Sequence, residues 1–107
     1  MTGSRVRQVR TLKTKAAPEV DIPHLVSEIV LSMIDFPDEF EMEVIEGEET
    51  TKMRVKTAAR DRGKVIGKQG QNARAIRTIL NAAGMKRRHG YALEVVQEWA
   101  ERDGQGE

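Results

Sequence analysis

The chain has 107 residues, no cysteine, and 18 basic against 17 acidic residues, for a net charge of +1. This length fits one small domain, and the lack of cysteine excludes a disulfide framework and a thiolate metal site. No apolar run approaches the length of a membrane span, and the N-terminus lacks the apolar centre of a signal peptide, so we expect a cytoplasmic protein that does not cross a membrane.

Residues 1–20 carry basic side chains and only one acid, Glu19. Their few apolar residues form no sustained amphipathic pattern, so we predict a flexible basic arm. The arm could add phosphate contacts that do not depend on sequence, or it could be a solubilising tail. Residues 21–97 are predicted to form the folded domain and 98–107 a polar tail, with Trp99 packed on the domain edge rather than stacked on a base.

Apolar residues recur at helical spacing from Ile22 to Ile34, which predicts a helix with one face in the core. That face is predicted to consist of Ile22, Leu25, Val26, Ile29, Val30, Met33 and Ile34. Asp21 suits the N-cap position and Pro23 the first turn. The helix is expected to end before Pro37, because the residue before a proline resists the α conformation.

Two segments of alternating polarity follow, on either side of a turn at residues 47–50, and they predict a β-hairpin. One antiparallel register places apolar pairs on the inner face and opposite charges on the outer face. The expected pairs are Val44–Met53, Met42–Val55, Glu43–Arg54 and Glu41–Lys56.

The stretch from Arg60 to Ala83, RDRGKVIGKQGQNARAIRTILNAA, places Gly67-Lys68-Gln69-Gly70 between two segments of helical spacing. A nucleotide-binding P-loop is excluded, because the gap from Gly63 to Gly67 is one residue short and Gln69 replaces the serine or threonine. A dinucleotide fingerprint fails on glycine spacing and lacks a βαβ unit. Helix–GxxG–helix is typical of the KH module, whose loop clamps about four nucleotides. The alternative is a glycine turn without a ligand.

The second helix of this pair is predicted to use Ala73, Ile76, Ile79, Leu80 and Ala83 for its apolar face. Gly84 is predicted to be its C-cap, followed by a basic loop at residues 85–90. The segment 91–96 then predicts a last strand. The order helix, strand, strand, helix, GxxG, helix, strand implies an α+β two-layer domain, a three-stranded sheet with helices packed on one face.

Charge is segregated along the chain. Between residues 16 and 51 every charged residue is acidic, whereas between Lys52 and Arg88 the only acid is Asp61. Positive charge concentrated around a GxxG loop is typical of a nucleic-acid site, and a solvated charged face is the alternative.

From about Ile22 to Val96 the chain resembles the KhpA family of small bacterial single-KH proteins. The resemblance rests on IVLSMIDFPDEFEMEVIEGEETTKMRVKTAARDRGKVIGKQGQNARAIRTILNAAG and on YALEVV. It implies the type II KH fold, order α-β-β-α-α-β, and single-stranded RNA binding without catalysis, as a post-transcriptional regulator or RNA chaperone. It also implies a homodimer, or a heterodimer with a KhpB-family protein. The basic arm and the tail depart from the family pattern.

The resemblance further implies that the GxxG loop holds the RNA backbone, with Lys68 and Gln69 directed at phosphates and the backbone N–H of Gln71 assisting. Val65 and Ile66 would form an apolar floor under the bases. The loop Lys86, Arg87 and Arg88 would be the variable loop on the far wall of the groove. Charge and position add three flanking contacts: Lys64, Arg74 and Arg77.

Two alternatives stay open: a ribosome-associated or rRNA-maturation factor that uses the same groove, and a KH scaffold that acts mainly through dimerisation. We expect no enzyme, metal or cofactor, because His24 and His89 lie far apart and neither has a carboxylate and nucleophile around it. The RNA target, its base preference and the choice between RNA and single-stranded DNA stay open as well.

Overall fold

The computed structural model describes residues 20–99. Its helices and strands are α1 (Ile22–Leu31), β1 (Glu41–Glu46), β2 (Thr50–Lys56), α2 (Ala59–Ile66), α3 (Gln71–Arg87) and β3 (Gly90–Val96), which confirms the predicted order. Single 3₁₀ turns lie at Pro37–Glu39 and Lys68–Gly70. Almost all of the predicted arm and tail falls outside the described residues. No helix within residues 20–99 is long and apolar enough to cross a bilayer.

The sheet has the order β1-β2-β3, with β1 antiparallel and β3 parallel to the central strand. The hairpin register is the predicted one in all four pairs: Val44–Met53, Met42–Val55, Glu43–Arg54 and Glu41–Lys56. Met53 and Val55 continue these rows into β3, opposite Leu93 and Val95. Helices α2 and α3 form the crossover that a parallel neighbour requires.

One hydrophobic core lies between the sheet and all three helices, as the two-layer prediction requires. Val26 and Val30 of α1 pack there with Met53 of the central strand, and their exposed fractions are 1% or less. The remaining buried members are Ile22, Ile34, Val55, Val65, Ile76, Leu80 and Leu93. The core prediction is wrong for two residues: Leu25 is 39% exposed, and Ile79 of α3 is 61% exposed.

Helix α1 ends at Leu31, earlier than the apolar spacing predicts. Ser32 is its C-cap, and the Ser32 hydroxyl donates to the carbonyl of Ile29 at 2.6 Å. The chain then leaves the helical path, and the backbone N–H groups of Asp35 and Phe36 donate to the Asp61 carboxylate at 3.0 and 2.9 Å. Ile34 is still buried in the core, so the apolar pattern continues beyond the end of the helix.

Asp61 ties α2 to the segment after α1. Its side chain is fully buried, and Lys64 Nζ lies 3.7 Å from its Oδ1 atom. Burial acts to raise the pKa of this carboxyl, but the two N–H donors from Asp35 and Phe36 and the Lys64 ammonium outweigh it, so the pKa lies below its ordinary 3.8. The isolated acid in the basic half of the sequence is therefore a structural anchor for α2.

Helix α3 continues to Arg87, so the prediction that Gly84 is its C-cap is wrong. The C-cap is Arg88, with a φ of 56°, and the His89 N–H donates to the Gly84 carbonyl at 3.0 Å. Gly84 lies inside the helix, where the His89 carbonyl oxygen occupies the space that a Cβ would need. The glycine is needed there for close approach rather than for helix termination.

This close approach reverses the usual effect of replacing a helical glycine by alanine. A Cβ at Gly84 would collide with the backbone oxygen of His89, so we expect Gly84→Ala to destabilise the fold by about 2 kcal/mol. At Gly63 in α2, no neighbouring atom of the described residues lies within 4 Å of the place that a Cβ would take, so Gly63→Ala should stabilise by roughly 0.5–1 kcal/mol. Urea unfolding of both variants measures the difference, and equal effects would contradict it.

Candidate nucleic-acid interface

The GxxG loop connects α2 to α3 through a tight turn with three residues of positive φ. Gly67 has a φ of 83°, Gln69 of 56° and Gly70 of 77°. At the end of α2, the Gly67 N–H donates to the Gly63 carbonyl at 2.8 Å. The Gly70 N–H donates to the Gly67 carbonyl at 2.9 Å. Lys68 and Gln69 are both exposed at the tip. The loop thus presents a cation and an amide on a backbone held by its own hydrogen bonds.

Asn72, which sequence reasoning missed, fastens the two helices behind the loop. Its side-chain amide donates to the Lys64 carbonyl at 2.9 Å, across the GxxG turn. Its Cγ and backbone N lie 2.7 Å from where a Gly67 Cβ would stand. The only sequence signal was an amide residue two positions after the second glycine, and that signal does not specify a partner.

Arg74 and Arg77 line the same side of α3, and each is braced by a backbone carbonyl. Arg74 Nη2 donates to the Gln69 carbonyl at 3.0 Å. Arg77 donates through Nε and Nη2 to the Leu93 carbonyl, at 3.1 and 2.9 Å, on the edge strand β3. A guanidinium has five N–H donors, so each arginine keeps donors and its full charge for a ligand.

A groove of about 330 Å³ opens between these arginines and β3. Ile66 and the buried Ala73 contribute apolar surface from the helices, and Val95 contributes it from β3. The full lining is Ile66, Gly70, Ala73, Arg74, Arg77, Glu94 and Val95. The groove therefore has two arginines next to the GxxG loop and an apolar surface that both the helices and β3 contribute.

Val65 does not belong to that floor. Its side chain is 0% exposed and packs in the hydrophobic core, so the expectation that it contacts bases is wrong. In a helix of eight residues, the neighbours Val65 and Ile66 point in different directions, and only Ile66 reaches the groove. The backbone N–H of Gln71 was expected to assist in binding phosphate, but it already donates to the Lys68 carbonyl and is not a free donor.

Lys86, Arg87 and Arg88 lie at the opposite end of α3 from the GxxG loop. Lys86 and Arg87 belong to the last turn of the helix, and Arg88 is its C-cap. A helix of 17 residues is roughly 25 Å long at 1.5 Å per residue. Lys86 and Arg87 are therefore helical rather than part of a loop, and with Arg88 they form a second basic cluster at the far end of α3; their contact with RNA on the far wall of the groove stays a prediction.

Several other cations of the basic half are paired within the domain. Lys64 Nζ lies 3.2 Å from Asp35 Oδ2 and keeps 45% of its side chain exposed. Arg60 lies over the Phe36 ring, 3.9 Å from its centroid. Lys68, Arg74 and Arg77 remain the basic side chains that flank the groove.

Arg54 was expected on an open sheet face, but only 7% of it is exposed. It lies between two glutamates in one row across the three strands. Its Nη1 donates to Glu94 Oε1 at 2.6 Å, and its Nε lies 3.4 Å from Glu43 Oε1. The hairpin pattern predicted Glu43 as a partner of Arg54 but not Glu94, because β3 lies far from β2 along the chain.

Trp99 and the two histidines have partners within the domain. Trp99 packs at the β1 edge, where its Nε1 donates to Glu41 Oε1 at 2.6 Å. His24 pairs with Glu28 on the exposed side of α1 at 3.1 Å, whereas His89 contacts the Thr51 hydroxyl at 2.8 Å. The two histidines serve different elements.

Comparison with known proteins gives the same fold assignment. Residues 23–95 match the model of the KhpA/KhpB KH domain. Over 72 residues the chain is 40% identical to the RNA-binding protein KhpA of Clostridium acetobutylicum, which covers 67% of this chain and 96% of the relative. It is 42% identical, also over 72 residues, to the RNA-binding protein KhpA of Borreliella burgdorferi, covering 67% of this chain and 88% of the relative. No solved structure matches it. The chain belongs to the KhpA/KhpB family of KH-domain proteins.

Proposed function

We propose that this protein binds short single-stranded RNA in the groove between the GxxG loop and β3. The observation that carries the proposal is the juxtaposition of the exposed Lys68 loop with an apolar floor flanked by Arg74 and Arg77. Phosphates are held from the loop and α3, and bases lie over Ile66 and Val95. Relatives named RNA-binding protein KhpA support the same ligand class.

The proposed role is that of a binding protein in the cytoplasm, a post-transcriptional regulator or RNA chaperone rather than an enzyme. A groove that takes about four nucleotides offers few contacts, so a single domain binds weakly. A second subunit, either another copy or a KhpB-family protein, would raise the affinity through effective concentration.

Reversing the charge of the loop tests the site. We expect Lys68→Asp/Gln69→Asp to weaken binding of a fluorescent RNA octamer by more than about tenfold, because phosphate loses a charge-assisted contact and meets two carboxylates. Fluorescence anisotropy at two salt concentrations measures this loss, and wild-type affinity should fall as salt rises. Circular dichroism checks that the variant is folded.

A charge-matched control separates the groove from general attraction. Lys52 is exposed on the sheet face away from the helices, in the row of Ile45 and Ala92. Lys68→Asp and Lys52→Asp change the net charge equally, and only the first should cause a large loss. Similar losses in both, or unchanged binding in the double variant, would reject the groove and favour a scaffold that acts through dimerisation.

A further inference from the structure

A second cavity opens between α3 and β3, beyond the groove described above. Its volume of about 490 Å³ lies within the range of roughly 300–1,000 Å³ that is usual for ligand sites. The last turns of α3 contribute Asn81 and Met85 to its lining, and His89 and Tyr91 line it from the start of β3 and the residue before it. None of the described residues that line it is acidic. The groove alone gives this cavity no role.

The groove and the second cavity lie along one furrow between α3 and β3. On α3, Arg74 and Arg77 line the groove, whereas Asn81 and Met85 line the cavity. Spacings of three and four residues place all four in one stripe on the helix. On β3, the residues that line the groove stand four positions after those that line the cavity. The two linings are thus offset by roughly 13 Å, whether counted by helix rise or by strand rise.

Arg77 lies between the two compartments of this furrow. Its guanidinium reaches from α3 to the Leu93 carbonyl, at 3.1 Å from Nε and 2.9 Å from Nη2. Leu93 stands between the β3 residues of the groove and those of the second cavity. The guanidinium keeps its Nη1 donors and its full charge. A phosphate that binds over Arg77 therefore has the groove on one side and the second cavity on the other.

The lining of the second cavity suits a nucleobase. The rings of His89 and Tyr91 form an edge-to-face pair with centroids 5.1 Å apart, and both are side chains of the kind on which unstacked RNA bases stack. Met85 is 80% exposed and adds a polarisable apolar surface. The exposed amide of Asn81 both donates and accepts hydrogen bonds, as the edge of a base requires.

Positive charge stands at both ends of the furrow, which favours RNA over an apolar protein segment as the occupant. Lys68 lies at the end of the groove, and the basic cluster of Lys86, Arg87 and Arg88 lies beyond the second cavity. The cluster forms no ion pair with another described residue. We infer that single-stranded RNA continues past Arg77 into the second cavity, so that its footprint exceeds the roughly four nucleotides of the groove. This inference rests on the proposed RNA-binding function of the groove.

Met85→Glu tests the extension, because it places a carboxylate at the second cavity and leaves the core intact. RNA pools of random sequence avoid any assumption about base preference. We expect affinity for an octamer pool to fall by about fivefold or more, and affinity for a tetramer pool, which the groove alone holds, to change by less than about twofold. Fluorescence anisotropy measures the octamer, and NMR titration measures the weaker tetramer. Each variant is compared with wild type at the same length, so the greater number of binding registers in the octamer cancels.

Ile79→Glu is the matched control. It makes the same change of charge on the same helix at a side chain that is 61% exposed, but Ile79 lines neither the groove nor the second cavity. It should weaken both lengths by less than about twofold. Circular dichroism checks that both variants are folded. An equal loss of octamer binding in the two variants, no loss in Met85→Glu, or the same loss for both lengths overturns the extension.

The extension and the proposed function fail in different ways. If Lys68→Asp/Gln69→Asp abolishes binding of both lengths while Met85→Glu changes neither, the groove stands and only the extension is overturned. If octamer binding survives reversal of the loop charge, both are overturned.

Discussion

Replacing Gly67 by alanine is expected to destabilise the fold by about 3 kcal/mol, because it combines backbone strain with a steric clash. The φ of 83° and ψ of 166° lie in a region that is essentially restricted to glycine. A Cβ would also stand 2.7 Å from the backbone N of Asn72. That contact can be relieved only by moving the start of α3, so RNA binding should fall with stability. Urea unfolding and anisotropy measure the two effects.

Gly70→Ala is the matched control for this prediction. Gly70 has a φ of 77° and a ψ of 12°, which is ordinary left-handed backbone, and the nearest atom to a Cβ would be Arg74 Nη1 at 3.8 Å. Its cost should be about 1–2 kcal/mol, the strain of alanine in that conformation alone. If the two glycine variants were equally stable, the close approach of Asn72 would not matter for folding.

Replacing Asp61 by asparagine is expected to lower the midpoint of thermal unfolding by on the order of 10 °C. The buried carboxylate accepts N–H groups with both oxygens, one from Asp35 and one from Phe36. An asparagine would turn an NH₂ group toward one of these donors and leave it without an acceptor. Asp35→Asn is the control, since its carboxylate is 66% exposed and pairs only at the surface with Lys64.

The pH dependence of this difference follows from the pKa of Asp61, which is lowered from 3.8 in the folded protein. A depressed carboxyl pKa stabilises the fold above the unfolded value and loses that contribution as the pH falls through the folded value. The gap in unfolding midpoint between wild type and Asp61→Asn should therefore be constant at neutral pH, begin to narrow as the pH falls toward 3.8, and narrow further as the pH falls through the lower pKa of the folded protein. A gap that persisted at lower pH would contradict the ionised carboxylate.

The hairpin was predictable because two independent patterns demanded the same register. The apolar pair Val44–Met53 and the charged pair Glu43–Arg54 alternate in step, and a shift of one residue would spoil both faces. The GxxG loop was predictable because glycine is the residue that its backbone angles require at Gly67. Local spacing carried each of these results.

The errors arose where a contact from a distant segment decides the outcome. Gly84 looks like a helix end, but what it accommodates is the carbonyl of His89, and helix α3 continues beyond it. Val65 and Ile66 are adjacent apolar residues, and only the fold shows that one lies in the core and the other in the groove. Glu94 looks like an ordinary outward strand residue, because its partner Arg54 stands 40 positions earlier.

The parallel pairing of β2 with β3 also orders the assembly of the domain. β1 and β2 meet through a short turn, whereas β3 must return past two helices, so we expect the docking of β3 to be the slower and entropically more costly step. The GxxG loop forms within the α2–α3 segment, but the facing wall of the groove belongs to β3. A partly unfolded state with β3 detached keeps the loop and has no groove. RNA bound in the proposed groove should stabilise the docking of β3, so amide hydrogen exchange in β3 should slow more than in the hairpin when RNA is added.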